Sequence, residues 1–535
     1  LRPLLLIFLP LISGLLVTLG FTRLLGLEKL NIITAFIGGI LLGMGIDFGV
    51  HLTARYLEER GDGKPLKEAL SITMVSTGRA LITAAVTTAG ALYLLFFSSF
   101  RGFWEFGLIA GTGVLMTLAV FLLFFPVAAV LLERVVKVRG SGFVPFALRA
   151  SGDQRRFPVI SVVLLSLGVL ITVFLSVFGL PRLEFETNFR RLSGKPSTSI
   201  KYGKAMGDNA SPTVALCESR QDCALFDRHL KEMLSKPLPN PDLRDWLAVT
   251  SFIPDGVKEK LPVILRMGRR ITKAHRWADD KVKKRLKDLG RFIPKKELTV
   301  DALPGWLKRR FSEKDGTMGR FLYLYPKRET WNADEAAIFK ARFGTFDLSK
   351  VKGAHKGAGV VRAASSSFIL VDIIRVVRKE GTLIFLGALL LVFVLLLVDL
   401  RSFVPAVLVS LPLIVGLLWT ASLLPILGQR LGLYNMVVLS TIVGAGIDSA
   451  VHLYHSLSEP GADPRVATFR TGLAVTVASL TTMVGFAGMM SATHGGLSSI
   501  GRLATVGILA TLTAALLFVP SGFYLLKWLK SDRKS

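Results

Sequence analysis

Asp47 and Asp448 each interrupt a long apolar run, and their settings are nearly the same. One reads Gly43-Met44-Gly45-Ile46-Asp47-Phe48-Gly49-Val50-His51-Leu52, the other Gly444-Ala445-Gly446-Ile447-Asp448-Ser449-Ala450-Val451-His452-Leu453. A carboxylate inside hydrocarbon costs several kcal/mol or more, so it is rarely kept without a role. Two of them in matched settings point to an ion-coupled membrane machine. His51 and His452 follow their acids by four residues and share the same helix face. An imidazole there could pass protons between carboxylate and water. The alternative is a histidine that only hydrogen-bonds backbone or threonine at a helix end. Gly43, Gly45, Gly444 and Gly446 predict close helix packing, which would bring the two acids together.

Apolar helices must carry these residues. Of 535 residues, 51% are hydrophobic, and runs of roughly 20 recur, enough to cross about 30 Å of hydrocarbon. Ten spans are expected, at about 3–22, 31–55, 79–98, 104–132, 157–180, 381–399, 403–427, 434–456, 472–491 and 503–527. That number excludes a soluble protein. Residues Leu1 to Gly20 are expected to form an ordinary span, not a cleaved leader.

The spans contain a repeat. After Asp47 come Thr77-Gly78-Arg79-Ala80, Ala84 and Thr87-Thr88; after Asp448 come Thr471-Gly472-Leu473-Ala474, Ala478 and Thr481-Thr482. Gly107 pairs with Gly501, Pro126 with Pro520, and Arg101-Gly102 with Gly495-Gly496. An even number of crossings separates the copies, so they run in parallel about an axis along the membrane normal. The threonine pairs Thr87-Thr88 and Thr481-Thr482 could donate hydroxyls to the aspartates or back-bond within their own helix.

Positive charge sets the expected orientation. The loop 136–156 and its flanks hold Arg134, Lys137, Arg139, Arg149, Arg155 and Arg156, and the C-terminal end holds Lys527, Lys530, Arg533 and Lys534. Both are expected to be cytoplasmic. The polar segment 181–380 then falls outside, in a periplasm or its equivalent. It mixes strand signals (Leu183–Thr187, Thr213–Cys217, Trp246–Phe252, Arg320–Tyr325, Gly359–Arg362) with helix signals (221–235, 256–289, 303–313, 333–345), which predicts an α+β domain. Segment 366–380 is expected to run as a helix into the next span and to transmit motion from it.

Much of the net charge of +28 lies in this segment. A solvated helix face and attraction to anionic lipid are the two readings of it, and nothing resembles a base-reading motif. The stretch 256–289 is expected to be an amphipathic helix or hairpin packed on the sheet, and less often a lipid-surface helix. Cys217 and Cys223 suit a disulfide between a strand end and the following helix, with free thiols as the alternative. No Walker loop, nucleophile elbow or His/Cys ligand set occurs, so neither ATP, an enzyme centre, a metal nor a cofactor is expected.

The doubled Gly-x-Gly-Ile-Asp-x-x-x-His-Leu motif with Thr-Gly-x-Ala and Thr-Thr, flanking an α+β segment, resembles the resistance-nodulation-division (RND) superfamily. Within it the chain resembles the MMPL branch, which includes hopanoid exporters and is related to Patched-type, sterol-sensing proteins. The resemblance implies inner-membrane proteins driven by proton flow that move lipids or other hydrophobic molecules outward, as dimers or trimers and with periplasmic partners. It implies twelve spans and two porter domains, so this chain is expected to start at the third span, as a fragment. Domains are expected at 1–135 (first repeat), 136–156 (cytoplasmic loop), 157–180 (leading helix), 181–380 (porter domain), 381–530 (second repeat) and 531–535 (tail). Asp47 and Asp448 match the family's proton-relay acids. Phe48 and Ser449 stand where many members have tyrosine, and Ala54-Arg55-Tyr56-Leu57-Glu58 departs from the protein-translocation branch. The expected role is therefore a secondary active transporter of a lipid-like substrate. Alternatives are a lipid sensor that does not pump and an accessory part of an export complex.

Overall fold

The computed structural model describes residues 2–27, 29, 31, 34, 37–135, 157–192, 212–235, 242–253, 256–274, 277, 279–291, 299–460 and 463–532. The expected loop 136–156 and the tail residues 533–535 lie outside these. Among the described residues, ten helices are long and apolar enough to cross a membrane. They are α1 (Arg2–Leu24), α2 (Ile37–Gly61), α3 (Leu66–Phe97), α4 (Arg101–Val135), α5 (Phe157–Gly179), α6 (Ser366–Leu400), α7 (Phe403–Ile426), α8 (Leu433–Leu457), α9 (Pro464–Met490) and α10 (Gly495–Asp532). Each matches an expected span, and the chain is a multi-pass membrane protein. Helices prevail because hydrocarbon offers the backbone no partner, so every N–H must be satisfied within its own segment.

The chain divides into two compact units, residues 1–195 with 373–535, and residues 196–372. In the helical unit, α1, α2 and α4 pack together, and α7, α8 and α10 repeat that arrangement. The copies agree in detail where α4 crosses α3 and α10 crosses α9. A Cβ on Gly107 would lie 2.6 Å from the Leu92 carbonyl oxygen, and one on Gly501 would lie 2.6 Å from that of Phe486. Between the copies the packing is exchanged: α2 lies against α9, and α8 against α3. Leu52, Tyr56, Phe121, Val438, Ile447 and Leu453 are among the fully enclosed side chains of this core.

The copies differ in the backbone of α3 and α9. Helix α9 is a single α-helix, its first turn capped by the Asp463 side chain accepting from the Arg465 N–H. Helix α3 instead contains a π-turn at Thr73–Thr77, just before Gly78. Such turns insert an extra residue into the ladder and tend to sit at functional places.

The second unit is built on a five-stranded antiparallel sheet in the order β2-β3-β1-β5-β4. Its strands are β1 (Thr213–Leu216), β2 (Leu243–Leu247), β3 (Phe321–Pro326), β4 (Thr345–Asp347) and β5 (Val360–Ala364). Alternation puts Leu322 and Leu324 of β3 on the covered face, where they meet Phe226 of helix Arg220–Ser235 and Phe339 and Phe343 of helix Ala333–Phe343. Asp242, just before β2, receives Arg328 Nε at 2.8 Å and Arg342 at 3.0 Å. The Arg328 guanidinium foremost, helped by Arg342, holds the Asp242 carboxyl below the usual carboxylate range. Cys217 and Cys223 are disulfide-bonded, with Cα atoms 5.5 Å apart, joining the end of β1 to the following helix as expected.

Three expectations for this region need correction. Leu183–Thr187 is no strand of the sheet; Phe185 makes only an isolated parallel bridge with Leu431, inside the helical unit. Its extended backbone exchanges two hydrogen bonds with Leu431, from the Glu186 N–H and to the Glu184 carbonyl, and with no sheet edge beside it among the described residues goes no further as a strand. The expected strand at Trp246–Phe252 begins earlier, at Leu243, and gives way to a 3₁₀ turn at Val249–Phe252. The stretch 256–289 is two helices, Val257–Ala274 and Asp280–Arg291, which pack on each other and, among the described residues, join neither hydrophobic core of this unit. Segment 366–380 does continue into the span, since Ser366–Leu400 is one helix.

Candidate functional site

The motif helices α2 and α8 meet their aspartates with groups from the opposite copy. Thr482 Oγ1 of α9 donates to Asp47 Oδ1 at 2.7 Å. Thr88 Oγ1 of α3 reaches Asp448 Oδ1 at 3.5 Å, the same contact drawn looser. The Thr482 hydroxyl also lies 2.9 Å from the Gly43 carbonyl oxygen and 3.2 Å from that of Ala478. It has one hydrogen and three acceptors, so its direction depends on what Asp47 offers.

The other member of each threonine pair turns away. Thr87 Oγ1 bonds back to the Ala84 carbonyl at 2.8 Å and that of Thr83 at 3.0 Å, and Thr481 Oγ1 bonds to Ala478 at 2.6 Å. Of the two threonine roles left open by the sequence, each pair thus supplies one residue to each. The split follows helical rotation: successive residues lie about 100° apart, so only one of two neighbours can face the other copy.

Glycine makes the approach possible. A Cβ on Gly444 would fall 2.7 Å from Thr88 Cγ2 and 2.9 Å from its Cα, a clash with backbone. On Gly43 it would meet Thr482 Cγ2 at 3.6 Å, an ordinary contact. Gly45 and Gly446 serve packing within each copy instead. Their added Cβ atoms would strike Leu11 and Thr117 in the first, and Thr511 and Leu413 in the second.

Asp47 and Asp448 line one narrow cavity with Phe48, Ser449, His51 and His452. The two imidazoles stack, centroids 4.0 Å apart and planes 14° from parallel. A wider cleft shares the histidines with that cavity and is lined beyond them by Arg55, Glu58, His455, Glu459 and Arg470. The histidine pair therefore stands between the carboxylates and the cleft. Ser449 Oγ lies 3.4 Å from Ser479 Oγ, and Phe48 packs edge-on against Phe121.

Several polar groups at the cleft went unforeseen. Arg470 pairs with Glu58, Arg55 with Glu459 at 3.5 Å, and Ser76 of the π-turn with Glu459. All three join the first copy to the second. His455 Nε2 lies 2.8 Å from Asp399 Oδ2. The available signal was the charged run Arg55-Tyr56-Leu57-Glu58-Glu59-Arg60 at the end of α2, which meets Glu459 and Arg470 at the start of the second copy's α9 region. At the opposite end of α8, the Glu186 N–H donates to the Leu431 carbonyl at 2.5 Å, and Arg430 pairs with Glu184 at 3.0 Å.

Matched helical copies, one motif aspartate in each, and a sheet unit inserted between them in the sequence define a membrane protein of the RND type. The family model described as MMPL family matches residues 1–177 and 349–530, and the chain belongs to that family. It is 23% identical over 580 residues to the hopanoid transporter HpnN of Burkholderia multivorans, covering 94% of this chain and 62% of that protein. It is 31% identical over 147 residues to the putative membrane protein MJ1562 of Methanocaldococcus jannaschii, covering 28% of this chain and 36% of that one. The chain thus spans less than two thirds of the length of either relative. Among solved structures, SecDF, a translocon-associated membrane protein from Thermus thermophilus, is similar at a TM-score of 0.55 and 15% identity, covering 99% of this chain and 59% of that chain. At that identity the likeness speaks for the fold alone.

Proposed function

We propose that this chain works in the proton-motive-force-driven export of a hydrophobic, lipid-like substrate such as a hopanoid or sterol, from the inner membrane outward. The proposal rests above all on the exchanged contacts: each aspartate takes its hydroxyl donor from the other repeat, in a cavity both acids share. Membership of the MMPL family and likeness to a hopanoid transporter support the substrate class. The sheet unit, residues 196–372, is the periplasmic porter domain, and the cleft at Arg55 and Arg470 faces the cytoplasm.

The chemistry follows from one hydroxyl hydrogen. While Asp47 is ionised, Thr482 donates to it. Once Asp47 takes a proton, the acid donates to Thr482 Oγ1, and the threonine hydrogen is free for the Gly43 carbonyl at 2.9 Å. The bond joining α2 to α9 thereby changes from charge-assisted to neutral, and charge-assisted bonds are about twice as strong. Because Gly43 also belongs to α2, protonation trades one charge-assisted bond between the repeats for two neutral ones, and so redirects the contact that joins them. His51 and His452 pass protons between this cavity and the cleft. Two charged rings stacked at 4.0 Å would repel, so protons pass singly.

Replacing Asp47 or Asp448 by Asn keeps shape and hydrogen bonding while removing ionisation. Each variant should be made in normal amount and lose lipid export coupled to a pH gradient in proteoliposomes. Undiminished gradient-driven export by both would end the proposal, and gradient-independent function in the parent protein would favour a sensor.

A further inference from the structure

The helices Val257–Ala274 and Asp280–Arg291 are the largest described feature that neither core of the sheet unit employs. They pack on each other. Their surface is two-faced. Leu261, Ile264, Leu265, Gly268 and Ile271 follow helical spacing along one side of the first helix, while Arg266, Arg269, Arg270 and Lys273 occupy the other, exposed. Solvent also reaches Val263 (52% exposed), Met267 (57%) and Val282 (43%), and Trp277 between the helices is 91% exposed. A tryptophan left so open in a unit with two well-formed aromatic cores is unexplained by packing.

Charge says what covers this face. Residues 256–291 carry thirteen Lys and Arg against four Asp and Glu. An apolar protein surface would leave those cations desolvated, and a neutral one would leave them unmatched. A basic amphipathic hairpin with tryptophan at its tip is suited to the boundary between anionic headgroups and acyl chains. We propose that this hairpin docks on the headgroup layer of a bilayer containing anionic phospholipid, with Val263, Met267, Trp277 and Val282 entering the acyl boundary and the arginines and lysines among the phosphates. This is independent of proton coupling and would hold for a sensor as well as a pump.

The test uses the full chain in nanodiscs of phosphatidylcholine, with Val282→Cys carrying an environment-sensitive fluorophore. The native cysteines are bridged to each other, so the label has one site. Adding vesicles that contain phosphatidylglycerol, or placing that lipid in the nanodisc itself, should shift the emission to the blue; which arrangement does so identifies the bilayer. Phosphatidylcholine alone should not, and raised salt should reverse the effect. The triple variant Arg269→Gln/Arg270→Gln/Lys273→Gln should weaken vesicle binding roughly 100-fold, about fivefold per cation. An unshifted thermal melting curve would establish that this variant is folded. No blue shift in either arrangement, equal binding by the triple variant, or a shift with soluble polyglutamate but not with vesicles would overturn the proposal.

Discussion

Thr482→Val is the most informative single change at the site. Valine fills nearly the volume of threonine but cannot donate to Asp47, whose Oδ1 lies 2.7 Å from the Thr482 hydroxyl. A hydrogen bond to an ionised group contributes about 1.5–3 kcal/mol net. If the ionised state of Asp47 must form in every cycle, losing that bond slows the cycle by roughly 10- to 150-fold. The matching change Thr88→Val removes a contact at 3.5 Å, at the weak outer limit of a hydrogen bond, and should slow transport less than about threefold. Proteoliposomes with an imposed pH gradient and an internal pH-sensitive dye measure the proton flux, with lipid extraction by an external acceptor as the second readout. Thr482→Ser, which keeps the hydroxyl, should retain most of the flux. A Thr482→Val rate within twofold of the parent, or a larger loss in Thr88→Val, would refute the hydroxyl's part in coupling.

Packing gives a second contrast: Gly444→Ala pushes a methyl to 2.9 Å from Thr88 Cα and should cost about 1–3 kcal/mol of stability in detergent melting. Gly43→Ala meets only an ordinary contact and should stay within about 0.5 kcal/mol. At the cleft, Glu58→Arg should lower stability by no more than about 1 kcal/mol, because both partners are partly exposed, and Arg470→Glu in the same chain should restore it. Failure of the double change to recover would mean the pair does not join the repeats. In the sheet unit, Asp242 is depressed by Arg328 and Arg342, so its contribution is present above the ordinary carboxylate pKa and disappears as pH falls through its lowered one. Asp242→Asn should therefore lower the melting temperature at neutral pH and show a shrinking deficit in strong acid; a deficit that grows on acidification would reverse the sign.

Much of the membrane architecture was legible because hydrocarbon imposes so few choices. A run of twenty apolar residues has one outcome, and a carboxylate within it stands out against that background. The repeat added register, which sets Asp47 and Asp448 at matching positions of the two copies. What escaped was rotation about the helix axis. Whether Thr87 or Thr88 faces the other copy is a matter of about 100°, and a stretch so uniformly apolar carries no amphipathic signal to set it. The sheet unit was less legible for the opposite reason. Leu183–Thr187 alternates like a strand, but its partner is Leu431, some 240 residues away, and no local pattern names it. The three-residue β4 is too short to leave any pattern, and exists because β5 offers it an edge. The hairpin 257–291 was expected on the sheet because amphipathic helices in soluble domains generally cover something.

The exchange of threonine donors means that neither half of the bundle contains a finished acid site. Asp47 is completed by the second copy and Asp448 by the first, so a half-chain expressed alone would present a bare carboxylate. Two identical half-chains related by a twofold axis would, in contrast, complete both sites at once. Joining them in one polypeptide lets the halves diverge, and they have: one hydroxyl sits close to its acid while the other stands off, and among the described residues one half carries a π-turn that the other lacks. A fused pair can thus assign unequal duties to two positions that symmetry would have kept the same.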